Sequence, residues 1–224
     1  MVSAVNRLIG IPATLYMVAV PMAAHAQIEA DIGSSDADTY FGVEATADIG
    51  LGEATRVYLR GAAYDGPVWA GYALAEVRHD LNEIVTLEGG YFGLFLPDSP
   101  ARPEFRDNRI RGAVALTRRF GRFELSHRSR VEHRFRDVSD GFRYRPGFGV
   151  AYALPEDWLA TAALVRNETF YDFDADKVTR NHLTTGIVFP VRDGVSLTPA
   201  YQWQRDRTPL PDNHVISVVV GLNL

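Results

Sequence analysis

Hydrophobic and polar residues alternate along almost the whole chain after residue 27. The segment YFGVEATADIG at 40–50 shows the pattern, with Phe41, Val43, Ala45, Ala47 and Ile49 against Tyr40, Glu44, Thr46 and Asp48. A period of two is typical of β-strands, whose side chains point alternately to the two faces of a sheet. Similar runs occur near 53–64, 67–78, 83–96, 108–118, 122–136, 141–153, 157–171, 178–190, 194–206 and 214–224. The pattern predicts an all-β protein.

The segments between these runs alternate between two kinds. One kind is tight, as in GLGE, HDLN, FGR, LPED and VRDG, whereas the other is longer or more acidic, as in SSDADT, PDSPARPEFRD, DVSDG, DFDADK and RTPLPD, with DG at 65–66 as the exception. Outer-membrane β-barrels have short turns on the periplasmic side and longer loops outside. We therefore predict a single antiparallel transmembrane β-barrel over 27–224.

The same alternation gives a strand count. With the C-terminus in the periplasm, the strand at 40–50 runs inward, so an outward strand has to precede it. The short run QIEADIG at 27–33 fits this role. We predict twelve strands, with ten as the alternative.

The N-terminus has the features of a secretion signal. Arg7 lies before the apolar stretch LIGIPATLYMVAVPMA, and AHA precedes Gln27. Small residues at these positions are what a signal peptidase recognises. The alternative is an uncleaved membrane anchor, but the stretch is short for a spanning helix and contains Pro12 and Pro21. We predict a signal peptide over 1–26, cleaved after Ala26, and localisation in a bacterial outer membrane.

A row of ionised residues lies on one face of the predicted strand at 122–136. An arginine that faces lipid at the bilayer midplane costs about 2–4 kcal/mol, and two or three would use up most of a typical stability of about 5–15 kcal/mol. In a membrane barrel these residues must therefore line the lumen. The predicted lumen charge ladder consists of Arg128, Arg130, Glu132, Arg134, Arg136, Arg143, Arg145, Glu168 and Arg180.

Further charges of both signs have the same phase on other strands: Glu44, Asp48, Arg60, Glu88, Arg109, Arg111, Glu124 and Arg166. Side chains from opposite walls of a narrow barrel meet across it, and pairing with carboxylates offsets the repulsion between arginines. We expect an ion-pair network that largely plugs the lumen. It either only fills and stiffens the barrel or leaves a narrow path for anions.

Alternation by itself does not distinguish this barrel from a soluble one. A lipocalin-like periplasmic barrel that binds a small ligand has the same period with its apolar face inward. The predicted signal peptide, the strand lengths, the alternating loops and the last strand favour the membrane. Aromatic residues that would form interfacial girdles also recur on the mostly apolar faces: Tyr91, Phe142, Tyr144, Phe148, Tyr152, Phe189, Tyr201 and Trp203.

Several segments of the second half resemble a family of unknown function. They are RSRVEHRFR, FRYRPGFGVAYAL, RNETFYDF, TRNHLTTGIVFPV and AYQW with HVISVVVGLNL. Over roughly 122–224 the chain is similar to the bacterial family catalogued as domain-of-unknown-function 2490, thought to be outer-membrane β-barrels. The resemblance covers Arg128, Arg130, Glu132, Arg134, Arg143, Arg145, Glu168, Phe170 and Arg180. It implies the fold and brings no activity.

The strongest enzymatic candidate is the pair His127 and Ser129. These residues lie two apart on one strand face, and outer-membrane lipid acyl hydrolases combine such a pair with an acidic residue that orients the histidine. Glu132 is on the opposite face and cannot orient His127. The alternative is that both are polar residues facing lipid or another subunit. We expect a protein that is not an enzyme.

No metal or cofactor is expected. His182 and His214 lack partners at ligand spacing, and the acidic segment DFDADK lacks the glycine and the final glutamate of a calcium-binding loop. The sequence contains no phosphate-binding loop, dinucleotide fingerprint or redox pair, and it has no cysteine.

The expected partners follow from location and charge. They are outer-membrane lipid, lipopolysaccharide, the barrel-assembly machinery through the C-terminal strand HVISVVVGLNL, and an unidentified protein at the 97–107 loop. Nucleic acid is not expected, because the net charge of −5 repels phosphate.

Overall fold

The computed structural model describes residues 38–66, 69–98, 104–136, 140–207 and 212–224. These residues form eleven strands: β1 (Asp38–Gly50), β2 (Thr55–Asp65), β3 (Ala70–Asp80), β4 (Val85–Leu96), β5 (Phe105–Phe120), β6 (Phe123–Arg136), β7 (Gly141–Ala153), β8 (Ala162–Asp172), β9 (Lys177–Arg192), β10 (Val195–Asp206) and β11 (Asn213–Asn223). The described part of the chain contains no helix long and apolar enough to cross a membrane.

The strands form a closed barrel in which each pairs with its neighbours in sequence. Consecutive strands are antiparallel, and the barrel closes through a parallel pairing of β1 with β11, in which Val43 lies opposite Val218. The all-β barrel predicted from the sequence is therefore confirmed.

The number of strands that close the barrel differs from the prediction. Twelve strands were expected, because a barrel in which all neighbouring strands are antiparallel needs an even number. The described residues form eleven strands, and the barrel closes because the first and last strands pair in parallel. The segment at 27–33, predicted as an additional strand, lies outside the described residues, as do the predicted signal peptide and its predicted cleavage site.

The connections between strands fall at two ends of the barrel, as the alternation of turns predicted. The tight-turn end holds the connections at 51–54, 81–84, 121–122, 154–161 and 193–194 together with the C-terminus, and the loop end holds the others. Gly121 and Gly194 have φ angles of 58° and 71°, which two-residue hairpins require and which glycine adopts at little cost.

One tight connection is longer than predicted. β8 was expected to begin at 157, but it begins at Ala162. Residues after Pro155 turn back on themselves, with the Trp158 amide donating to the Pro155 carbonyl at 3.1 Å. This turn removes 157–161 from the sheet.

The two faces of the barrel wall differ in chemistry. The outer face carries exposed apolar side chains, such as Val43, 64% exposed, and Phe148, 62% exposed. The inner face carries the buried arginines and carboxylates on most strands. The polarity is therefore the reverse of that of a soluble barrel with an apolar interior.

Part of the inner face is apolar, which alternation did not predict. An inner aromatic cluster fills the loop-end half next to β1–β4 and consists of Tyr40, Tyr58, Tyr64, Ala70, Tyr72, Leu74, Phe92, Leu94, Leu96 and Val215. The Arg109 guanidinium carbon lies 4.7 Å from the centre of the Phe92 ring, so the cluster is packed directly against the charged interior.

Candidate functional site

The charged interior is organised around β6, the strand with the predicted ladder. Its inward-facing residues alternate with outward ones such as Val131 because side chains on a strand point to opposite faces. β6 pairs with β5 and β7, which bring Arg109 and Arg111 on one side and Arg143 and Arg145 on the other to the same inner wall.

A first chain of ion pairs runs through Glu132. Arg145 donates to Glu132 at 2.8 Å and to Glu168 at 2.7 Å, and Arg166 donates to Glu168 at 2.8 Å. Arg109 donates to the other Glu132 oxygen at 3.4 Å. Each carboxylate therefore accepts from two arginines, the arrangement that makes buried charges tolerable.

This chain continues toward the loop end through Asp107. Arg109 donates to both oxygens of Asp107, at 3.1 and 2.8 Å. Arg134 is bonded to the same carboxylate. Asp172 is 3.4 Å from a nitrogen of Arg143.

A second chain joins strands that are not neighbours, because it passes over the inner face of β4. Arg111 of β5 donates to Glu76 of β3 at 2.7 and 2.6 Å. Arg78 donates to Glu76 at 3.0 Å and lies 3.8 Å from Glu88, which accepts from Arg128 at 2.8 Å. We call the two chains the central network: Glu76, Arg78, Glu88, Asp107, Arg109, Arg111, Arg128, Glu132, Arg134, Arg145, Arg166 and Glu168.

The structure places the nine predicted ladder residues on the inner face. Seven of them are buried, namely Arg130, Glu132, Arg134, Arg143, Arg145, Glu168 and Arg180. Arg128 and Arg136 are half-buried. Arg180 lies apart from the central network, with a two-point contact to Asp206 at 2.6 and 2.7 Å.

Four buried network or neighbouring residues were missed from the sequence. Glu76 and Arg78 carry the same alternating signal as β6 but fall near the end of a strand whose first half is apolar and contains three alanines. Asp107 was assigned to a loop, and Asp172 to an acidic surface segment. Both lie within strands, because β5 begins at Phe105 and β8 ends at Asp172.

A cavity of about 1740 Å³ occupies the tight-turn half of the lumen. Its walls include Asp48, Thr86, Arg128 and Arg166, and its mouth includes the turns at Asn82 and Gly194. We call this cavity the vestibule. Arg128, Arg166 and Glu88, which also belong to the central network, form part of its lining, so the network separates the vestibule from the loop end.

The outward-facing pair His127 and Ser129 is hydrogen-bonded at 3.0 Å between His Nε2 and Ser Oγ. Ser129 Oγ also lies 3.0 Å from the Tyr144 hydroxyl, and the His127 ring packs 4.4 Å from the ring of Phe148. Within the described ranges, the buried His127 Nδ1 has no hydrogen-bond partner. The acidic residue that would orient a catalytic histidine is thus not found on the described outer wall.

The described ranges were also compared with the requirements of a metal site. They contain no group of three or more histidine, cysteine, aspartate or glutamate side chains arranged to hold a metal ion. His182 is buried against the Phe170 ring at 4.7 Å between ring centres.

The comparisons with known proteins gave one result. The model of the family described as "Protein of unknown function (DUF2490)" matches residues 67–214, more than half of the chain. Neither the curated proteins nor the solved structures contain a match. The family match confirms the resemblance over 122–214 and extends it back through β3–β5, which contribute Glu76, Asp107 and Arg111 to the central network. The chain belongs to the DUF2490 family.

Proposed function

We propose that this protein is a non-enzymatic β-barrel in the outer membrane of a Gram-negative bacterium. The central network closes the lumen of the barrel. The observation that carries the proposal is the inverted wall: apolar side chains outside, paired charges inside. In water, such a continuous apolar exterior would favour aggregation. In hydrocarbon it is the stable arrangement, because closed barrels leave no unpaired sheet edge.

The filled interior supports a structural or interaction barrel over an open pore. Arg109, Arg130 and Glu132 lie inside the lumen and are each 0% exposed. The vestibule opens at the tight-turn end, and on its other side are the central network and the inner aromatic cluster. A solute entering from the periplasm would meet this barrier at mid-height.

Orientation and partners complete the proposal. The tight turns and the C-terminus would face the periplasm, as in other outer-membrane barrels. β11 would be the strand recognised by the assembly machinery, lipid and lipopolysaccharide would surround the wall, and the signal peptide would be removed after Ala26. The loop end would contact an unidentified protein partner through the 97–107 loop.

A narrow anion channel is the second candidate, favoured by the excess of positive charge inside. Among the described residues, ten arginines and seven carboxylates are buried. Such an excess would attract anions into any continuous water path.

Fractionation followed by planar-bilayer recording tests the proposal. The protein should be in the outer-membrane fraction, and its electrophoretic mobility should change on heating as the barrel unfolds. The purified barrel should then give no openings above background. A periplasmic soluble fraction would favour the ligand-binding barrel, and anion-selective openings would favour the channel.

The acyl hydrolase alternative makes a separate prediction. If Ser129 were a nucleophile, Ser129→Ala would alter the acyl composition of outer-membrane lipids. We expect no change, because His127 lacks the orienting carboxylate on which the triad mechanism depends. A changed lipid profile in this variant, with the barrel still folded, would support the enzyme.

A further inference from the structure

Arg130 is a buried cation that the central network leaves without a hydrogen bond. Its side chain is fully buried, and none of its three guanidinium nitrogens has an acceptor among the described residues. Its nearest carboxylate contact is an ion pair of 3.6 Å with Glu132. Burying a guanidinium without acceptors is costly, so this position calls for an additional acceptor.

The carboxylates around Arg130 are already engaged. Glu132 accepts from Arg109 and Arg145, and Glu168 accepts from Arg145 and Arg166. Glu76, on β3, accepts from Arg111 and Arg78. Each of these three carboxylates therefore already pairs with two other arginines.

Other arginines next to Arg130 also have unused donors. Arg145 is its register partner on β7, and Arg128 lies two residues before it on the same face of β6. Within the described residues, Arg145 Nε and Arg128 Nη1 are buried without acceptors. One unused acceptor, Glu88 Oε2, belongs to the carboxylate that already pairs with Arg128. Unused donors therefore outnumber unused acceptors here.

Small residues flank these arginines on the neighbouring strands. Arg130 lies between Ala113 of β5 and Arg145, and Arg128 lies between Ala115 and Gly147. Ala115, Arg128 and Gly147 all line the vestibule. Arg130 is thus one register step behind the vestibule wall, and its guanidinium nitrogens are covered. An ion from the vestibule would therefore reach it by displacing the Arg128 side chain.

We propose that a small oxyanion binds at Arg130, with Arg128 and Arg145 as further donors. A guanidinium presents its N–H groups in a planar fork that matches the oxygens of a phosphate or carboxylate. A bound oxyanion supplies the acceptors that the chain lacks and balances the excess of arginine. The site ends at the central network, so it holds an anion without conducting it.

Equilibrium dialysis of the purified, detergent-solubilised barrel against radiolabelled inorganic phosphate tests the proposal. We expect one phosphate bound per barrel at constant ionic strength set with chloride, and an unfolding temperature that rises with phosphate concentration. Arg130→Gln should weaken binding by about tenfold or more, because charge-assisted hydrogen bonds are lost. The matched control is Arg106→Gln, whose exposed pair with Glu104 lies at the loop end, away from the vestibule, and it should bind like the wild type.

Two results would overturn the proposal: no phosphate bound by the folded wild-type barrel, or equal binding by wild type and Arg130→Gln. If Arg130→Gln does not fold, the dialysis of the wild type decides. A competing arm adds short-chain phosphatidate to the labelled phosphate. Displacement by much less phosphatidate than unlabelled phosphate identifies a lipid headgroup as the source, and equal displacement identifies free phosphate. The measurement uses the folded barrel alone, so its outcome does not depend on whether the protein is located in the outer membrane.

Discussion

At the scale of single residues, Glu132 is a carboxylate that three buried arginines share. It accepts from Arg145 at 2.8 Å and from Arg109 at 3.4 Å, and it is 3.6 Å from Arg130. All four side chains are buried. Removing this one negative charge would leave three guanidinium groups facing one another in a region shielded from water.

We therefore expect Glu132→Ala to destabilise the barrel strongly. Breaking a buried ion pair by removing one partner typically costs about 3–5 kcal/mol, which lowers the unfolding temperature of a domain this size by roughly 10 °C. The temperature at which electrophoretic mobility changes on heating measures the effect. Glu124→Ala is the matched control on the same strand, since its pair with Arg119 is largely exposed and such pairs contribute about 0–1 kcal/mol. Equal midpoints for the two variants would contradict the central role of Glu132.

The inward direction of these residues could be inferred from the sequence, but their pairing could not. The ladder on β6 was recognisable because its charges recur at every second position. The free-energy cost of placing charge in lipid then indicated that this face points into the lumen. The contact of Arg111 with Glu76 joins β5 to β3 over the intervening strand β4. No local pattern predicts such a contact, because it depends on the curvature of the wall and the length of the side chains.

At the scale of strands, most of the predicted bounds lie within two residues of those in the structure. The predicted 141–153 and 194–206 agree with β7 and β10 within one residue. The errors occurred where a loop contains residues that also suit a strand, as at Asp107, or where a turn resembles a strand, as at Trp158. Alternation also could not distinguish the inward tyrosines of β2 and β3 from outward aromatic residues, because both give the same period.

The largest error of prediction at this scale was to expect an antiparallel closure, because β1 and β11 are parallel. Disulfide formation between these two strands tests the parallel pairing. Val43 of β1 and Val218 of β11 are register partners on the outer wall. Paired strands lie about 4.8 Å apart, within the range that a disulfide spans. Because the chain has no cysteine, we expect Val43→Cys with Val218→Cys to form an intramolecular disulfide on mild oxidation.

The control for this cross-link is Val43→Cys with Val77→Cys. Val77 lies on β3, with β2 between it and β1, so no intramolecular disulfide should form. Both pairs can be assayed by mobility on a non-reducing gel. If the first pair also failed to cross-link in the folded barrel, another strand would have to lie between β1 and β11, as the twelve-strand prediction requires.

At the scale of the whole molecule, the two faces of the wall, the filled centre and the one-sided vestibule form a consistent arrangement. The outer wall is suited to hydrocarbon, whereas the central network and the inner aromatic cluster stiffen the barrel from within. The placement of charged residues inside and apolar residues outside could be predicted, because charge in lipid is costly. The vestibule could not be inferred, because it depends on which side chains from strands distant in sequence line the same end of the lumen.

The proposed membrane environment predicts that the cost of a new outward charge depends on its depth. Val131 lies near the middle of β6, is 48% exposed and faces outward, whereas Phe123 begins the same strand on the same face and is 50% exposed. In a bilayer, Val131→Arg should cost about 2–4 kcal/mol and Phe123→Arg only about 0–1 kcal/mol. We expect less heat-modifiable barrel in the outer membrane for Val131→Arg and near wild-type amounts for Phe123→Arg. In a soluble barrel both positions face water, so equal and small effects of the two substitutions would refute the membrane location.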